Sequence, residues 1–324
     1  MAFLFSFLVI LSGLAFGRMV GVWMTPRFSR GRIEWWRLRF QILALVVINP
    51  IAFTGALWSL PSLDFRLALV PLVGLATWVG AFLFGSVVSK QLQLNPEKAL
   101  LFRTGMSYAN IGNLGALAVF LIVGEAGFAL LPLYKLFEEI WYYGFLFPHV
   151  KSNAKKLHAP LVVQEKDHPL KTLGKIFIDP FFFLPVSGAA LGFALHLTGM
   201  PRPLWYGPLN SVLVPASSFF LLFAIGLTFA PSWSKENLKP ALWLGGLRIT
   251  ALPLFSLLLT GALGFWSWPE VWKTCLVLSA MPLAFLSLVP PALNKLDERF
   301  PTTALLVTLL SLLVTLPLFN WLLV

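Results

Sequence analysis

Runs of about twenty apolar residues, each long enough to cross a hydrocarbon layer, follow one another along nearly the whole chain, with short polar connections between them. They fall at residues 3–24, 41–60, 66–89, 101–123, 126–148, 176–198, 208–230, 240–264, 271–293 and 301–323, ten in all. No soluble core could hide so much apolar surface: of 324 residues 58% are hydrophobic and 11% charged, and the mean hydropathy is +0.83. The expectation is an all-α polytopic membrane protein of ten transmembrane helices. Thirteen Trp and thirty Phe suit such a chain, because Trp settles at the headgroup level and Phe in the hydrocarbon. The first run could pass for a secretory leader. No basic stretch precedes it and no small-residue cleavage site follows before Arg18, so a span is expected.

The net charge of +11 would raise the question of nucleic acid in a soluble protein. Here the Lys and Arg sit in the connections between apolar runs, so they report orientation and nucleic acid is not an expected partner. Alternate connections carry eighteen of the 24 basic residues, from Arg27 to Arg39, Lys90 to Arg103, Lys151 to Lys175, Lys235 and Lys239, and Lys295 and Arg299. The opposite connections carry Arg66, Arg202 and Lys273, while Arg18, Lys135 and Arg248 fall inside apolar runs. The asymmetry predicts both termini outside the cytoplasm, in a plasma membrane or a bacterial inner membrane. Cys275 is the only cysteine, which rules out an internal disulfide and a cysteine-rich metal site.

The longest polar connection, Lys151 to Lys175, divides five apolar runs (residues 1–150) from five (176–324) and is expected to be a cytoplasmic basic loop. Five is odd, so the second set begins on the opposite side of the membrane and any likeness between the halves is an inverted repeat. Pro50 and Pro215 occupy comparable depths in the second and seventh runs. The fourth run of each half is interrupted by helix-weakening residues: Asn110, Gly112, Asn113 and Gly115 in one, Met281 and Pro282 in the other. In lipid, unwound backbone is tolerated only where protein or a water-filled cavity satisfies it. Matched breaks in two halves point to a transporter's midplane binding site; close packing through small residues is the plainer reading of either alone.

At these residues the chain resembles the auxin efflux carrier family, the plant auxin exporters and bacterial organic-acid permeases of the bile/arsenite/riboflavin transporter superfamily. Asn110-Ile111-Gly112-Asn113-Leu114-Gly115 is similar to that family's first crossover and Ala280-Met281-Pro282 to its second. Ser311 to Pro317 is similar to its C-terminal signature, and Ile225-Gly226-Leu227 to the end of its seventh helix. The resemblance covers nearly the whole chain, most strongly from Leu170 onward. It implies two inverted five-helix repeats with broken crossover helices 4 and 9. Leu117 stands where the family usually has a crossover proline, and Asn113 where an apolar residue is common.

Ionisable residues inside apolar runs are the other functional signal. Lys135, Glu138, Glu139 and Tyr142 fall at i, i+3, i+4 and i+7 of the fifth run, hence on one face of a helix. A charge at that depth costs roughly 2.5–3.5 kcal/mol, so the face is expected to avoid lipid. Either a Lys–Glu pair locks the helix in place, or the unmatched carboxyl serves as a proton or substrate relay. Arg248 lies about 12 Å into its run at 1.5 Å per residue, within reach of snorkelling to the cytoplasmic surface. Asp179-Pro180 reads as a helix N-cap followed by a first-turn proline.

These features predict a secondary active transporter, a permease or efflux carrier, that binds a small carboxylate-bearing organic anion between the crossovers and works by alternating access. Asn110, Gly112, Asn113, Gly115, Met281 and Pro282 are the expected substrate contacts; Lys135, Glu138 and Glu139 are the expected coupling residues. Protons, the lipid bilayer and a second copy of the chain are the further expected partners, and no cofactor is expected. An enzyme is disfavoured, for no HExxH, paired-aspartate motif or Ser-His-acid arrangement lies at depth. A channel, or a receptor or scaffold without transport activity, stays open as an alternative.

Overall fold

The structure, a computed structural model, describes residues 2–60, 64–158, 179–229 and 233–324. Among these the regular structure is helical, apart from one isolated β-bridge. In chain order the helices are α1 (Ala2–Met24), α2 (Arg30–Trp58), α3 (Phe65–Gln91), α4 (Pro96–Ser107), α5 (Ile111–Ile122), α6 (Glu125–Tyr134) and α7 (138–158). There follow α8 (Pro180–Leu197), α9 (Tyr206–Thr228), α10 (Lys235–Ala262, interrupted at Thr250), α11 (Pro269–Ser279), α12 (285–293) and α13 (Arg299–Leu323). Five of these, α2, α3, α9, α10 and α13, are 23 to 29 residues long and apolar enough to cross a membrane by length and composition. Their outer faces leave Leu83, Val87, Leu242, Leu258, Leu310 and Trp321 exposed, a surface suited to lipid rather than water.

Helix starts follow local chemistry. Asn95 accepts the Lys98 amide at 2.8 Å ahead of Pro96, and Asp179 accepts the Phe181 amide at 2.9 Å ahead of Pro180, each supplying an acceptor to a first-turn donor beside a proline that needs none. Between α5 and α6 the chain reverses at Gly124, whose φ of 92° favours glycine.

The helices pack as two bundles. In the first, α1 lies along α9, α8 lies along α2, and α2 leans on α9. Small residues permit the close approach: a Cβ on Gly17 would sit 2.3 Å from the Phe223 carbonyl oxygen, and one on Gly188 2.4 Å from that of Pro50. Backbones so close gain dispersion contacts where lipid gives no hydrophobic drive to helix association. The second bundle holds α3 to α7 and α10 to α13, with α3 on α4, α10 on α13 and on α11, and α6 between α11 and α3. The bundles meet where α6 touches α2 and α5 touches α1 and α9.

Two expectations change. The fifth apolar run is not one helix: α6 ends at Tyr134, Lys135–Phe137 form a turn, and α7 starts at Glu138. The Glu138 amide bonds the Lys135 carbonyl at 2.8 Å, so the chain turns tighter than a helix there. And α7 continues past residue 150 to His158, because Val150 and Ala154, one turn apart, are buried on the side of α7 that packs on α4. The connection from Lys151 therefore begins as helix; its remainder, with Lys166, Lys171, Lys175 and His168, lies outside the described residues.

Candidate functional site

Both interrupted runs break where the sequence places the weak residues, and the breaks touch. Between α4 and α5 the chain is extended at Tyr108, with Asn110 outside helical geometry; between α11 and α12 it leaves the helix from Ala280 to Ala284. Ala109 and Leu283 form an antiparallel bridge. The Asn110 amide donates to the Pro282 carbonyl at 2.8 Å, and the Ala284 amide to the Tyr108 carbonyl at 3.1 Å. The hydroxyl of Thr308, from α13, accepts the Leu283 amide at 3.2 Å. Each break thus supplies main-chain partners that the other would lack inside an apolar bundle. A Cβ on Gly115 would sit 3.2 Å from the Met281 side chain, so Asn110, Gly115, Met281 and Pro282 form one neighbourhood, with Gly112 and Asn113 on the first turn of α5.

Asn113 is 6% exposed, and its side-chain oxygen and nitrogen are both buried without a hydrogen-bond partner among the described residues. Its carbonyl accepts the Ser218 hydroxyl at 3.3 Å, a contact between the two bundles. Next to Ser218, Ser217 donates to the Asn49 side chain at 2.6 Å. Asn49 is next to Pro50 and Ser217 two residues past Pro215, so the prolines that the sequence pairs across the halves lie beside a polar contact between α2 and α9. These residues were missed in the sequence, and the matched prolines were the signal for them.

The charged cluster lies against the same crossing. Lys135 Nζ comes within 3.3 Å of where a Cβ on Gly112 would sit and pairs with Glu138 at 3.2 Å, with side-chain exposures of 29% and 7%. Glu139, the second carboxylate, is half-buried and has no ion-pair partner among the described residues. Tyr142 donates to the Leu286 carbonyl at 3.0 Å and stacks on Tyr108 with ring centroids 4.5 Å apart, while Trp141 donates to Ser107 at 2.8 Å. The start of α7 is thereby fastened to both breaks.

Arg248 does not snorkel. It is 1% exposed and points inward: Nε donates to the Met281 carbonyl at 2.8 Å, and Nη1 to the carbonyls of Met106 at 2.7 Å and Gly105 at 3.0 Å. A void of about 10 Å³, room for one water molecule, lies beside it, bordered by Thr77, Ser107, Tyr134 and Ser279 among others. At the far end of α6, Glu125 accepts from Arg202 and from Asn210, both at 2.5 Å. Arg202 and Asn210 also bond the α2 carbonyls of Gly55 and Ala52, so this clasp ties the second bundle to the first. Among the described residues no three His, Cys, Asp or Glu side chains gather as a metal site; the cations at the crossing are Lys135 and Arg248.

An all-helical protein with several membrane-length helices and a paired helix break at its centre is the class these features define. No protein-family model matches the chain, and no curated protein is significantly similar to it.

Proposed function

We propose that this protein is a secondary active transporter that carries a small organic anion across the plasma membrane by alternating access, and that it is kin to the auxin efflux carrier family. The observation that carries the reading is the mutual backbone pairing of the two breaks, Asn110 with Pro282 and Ala284 with Tyr108. Unwound helices at membrane depth are the usual seat of a transported solute. The reading takes the chain as ten spans in two inverted five-helix repeats. Reciprocal packing supports it: the first helix of each half lies along the second helix of the other, α1 on α9 and α8 on α2. The basic connections then face the cytoplasm and both termini lie outside.

In this reading the anion's carboxylate binds at the boundary of the bundles, on the unmatched amide of Asn113 with Asn110 and the Lys135 ammonium close by. The first bundle is the fixed wall, with Ser218 touching the site at the Asn113 carbonyl. The second bundle rocks against it, opening and closing the Glu125–Arg202–Asn210 clasp. Glu139, the carboxylate not paired with Lys135, carries the coupled proton.

The test is reconstitution into proteoliposomes with a panel of mono- and dicarboxylates, with and without an inward proton gradient. Saturable uptake that is stimulated by unlabelled substrate on the opposite side is expected. Flux that never saturates and shows no counterflow would make the protein a channel; binding without flux would make it a receptor. A tag at the C-terminus that is reachable only from the cytoplasm would remove the inverted repeat.

A further inference from the structure

The carbonyls bound by Arg248 come from the end of one helix and from the chain just past the end of another. Gly105 and Met106 lie in the last turn of α4, and Met281 lies just past the end of α11. The last carbonyls of a helix have no partner within it, and the summed peptide dipoles leave that end partly negative. Two such ends brought together in an apolar bundle repel one another and leave acceptors unsatisfied unless a cation sits between them. In transporters with broken helices, half-helix carbonyl ends serve to coordinate a coupling ion.

Here the position between them is held by a guanidinium. Arg248 reaches it from α10, two residues before that helix is interrupted at Thr250, and its side chain is 1% exposed. Among the described residues no carboxylate forms an ion pair with it. Its charge is met by main-chain carbonyls of the last turn of α4 and of the second break, those of Met106 and Met281 at the short distances of charge-assisted bonds. The side chains around the neighbouring void, Trp78, Tyr134, Leu252 and Leu278 among them, all belong to the second bundle. Arg248 therefore sits behind the crossing, away from the boundary where Asn113 meets Ser218, and is not a substrate contact.

We propose that Arg248 is a tethered cation that occupies a monovalent-cation position at the crossing, so that the two helix ends are held together without bound sodium or potassium. Removing the side chain leaves three carbonyls around a space that takes a small cation. The consequence for coupling, transport that is indifferent to sodium and potassium, rests on the transport reading above. The binding claim does not, and its test uses no substrate.

The purified full-length protein is melted in the chloride salts of N-methylglucamine, sodium, potassium and, at low concentration, guanidinium, at matched ionic strength. The wild-type midpoint is expected to be the same in all four. Arg248→Ala is expected to melt lowest in N-methylglucamine and to gain roughly 2–4 °C on addition of guanidinium or sodium, as ligand binding to the folded state requires. Arg248→Lys, which keeps a cation, is expected to fold and to stay indifferent to the salt. An alanine variant that folds and responds to no cation overturns the proposal. Should the alanine variant not fold, the lysine and methionine variants decide. A folded Arg248→Lys beside an unfolded Arg248→Met supports a requirement for charge. An Arg248→Met as stable as wild type, or an Arg248→Lys that fails along with it, overturns it.

Discussion

Replacing Glu138 by glutamine removes the carboxylate that is in ion-pair contact with the Lys135 ammonium while keeping the shape of the side chain. Glu138 is the carboxylate that pairs with Lys135, at 3.2 Å, and its side chain is 7% exposed against 29% for the lysine. Breaking a fully buried pair by removing one partner costs roughly 3–5 kcal/mol. Here the lysine side chain is 29% exposed and the glutamine oxygen can still accept a hydrogen bond, so the loss falls to that of a charge-assisted hydrogen bond, roughly 1.5–3 kcal/mol. Glu139 is in no ion pair among the described residues, and Glu139→Gln should cost less stability than Glu138→Gln. The functional order is reversed: Glu139→Gln should keep binding but lose acceleration of uptake by a proton gradient, while Glu138→Gln, where it folds, should keep it. The assays are the unfolding midpoint of each purified variant and uptake into proteoliposomes with and without a pH gradient. Equal stability losses in the two variants would refute the assigned pairing. Full pH-driven uptake in Glu139→Gln would make the cluster structural.

Asn113→Leu tests whether the unmatched amide serves the solute. With neither polar atom bonded among the described residues, an apolar side chain of the same branching should be neutral or stabilising by about 1–3 kcal/mol, while counterflow affinity falls at least tenfold; a marked drop in the unfolding midpoint would mean that the amide has a structural partner. Glu125→Gln should weaken the clasp across the bundles and raise hydrogen exchange at the start of α6 without altering exchange in α1; unchanged exchange at Gly127 and Phe128 would show that the clasp does not hold the bundles. Gly17→Val should force α1 from α9, since a Cβ there meets the Phe223 carbonyl oxygen at 2.3 Å, and should cost more than about 2 kcal/mol; a monodisperse, wild-type-like preparation would mean that the helices part easily.

The breaks were legible because Asn, Gly and Pro stand out in an apolar run, and their juxtaposition followed from the need of unwound backbone for partners. The identity of those partners, Tyr108 for Ala284 and Pro282 for Asn110, is a matter of three-dimensional register that no spacing encodes. The turn at Lys135–Phe137 was hidden because residues at i, i+3 and i+4 can meet across a tight turn as well as along a helix, so the pattern that suggested one face survives the break. Arg248 was misread for a related reason. A lone basic residue eight or nine positions into an apolar run has the reach to snorkel, and only the approach of α4 and α11 from distant parts of the chain shows that carbonyls lie nearer than the surface. Asn49 and Ser217 drew no notice beside their prolines, since isolated polar residues in spans often bond only their own helix.

The two bonds that join the breaks are made entirely by main-chain atoms, and nearly any residue can make them; proline is barred only at Asn110 and Ala284, which donate. The side chains at Ala109, Asn110, Leu283 and Ala284 are thereby released from making that joint. Descendants of such a chain can vary these side chains while the joint beneath them is inherited intact.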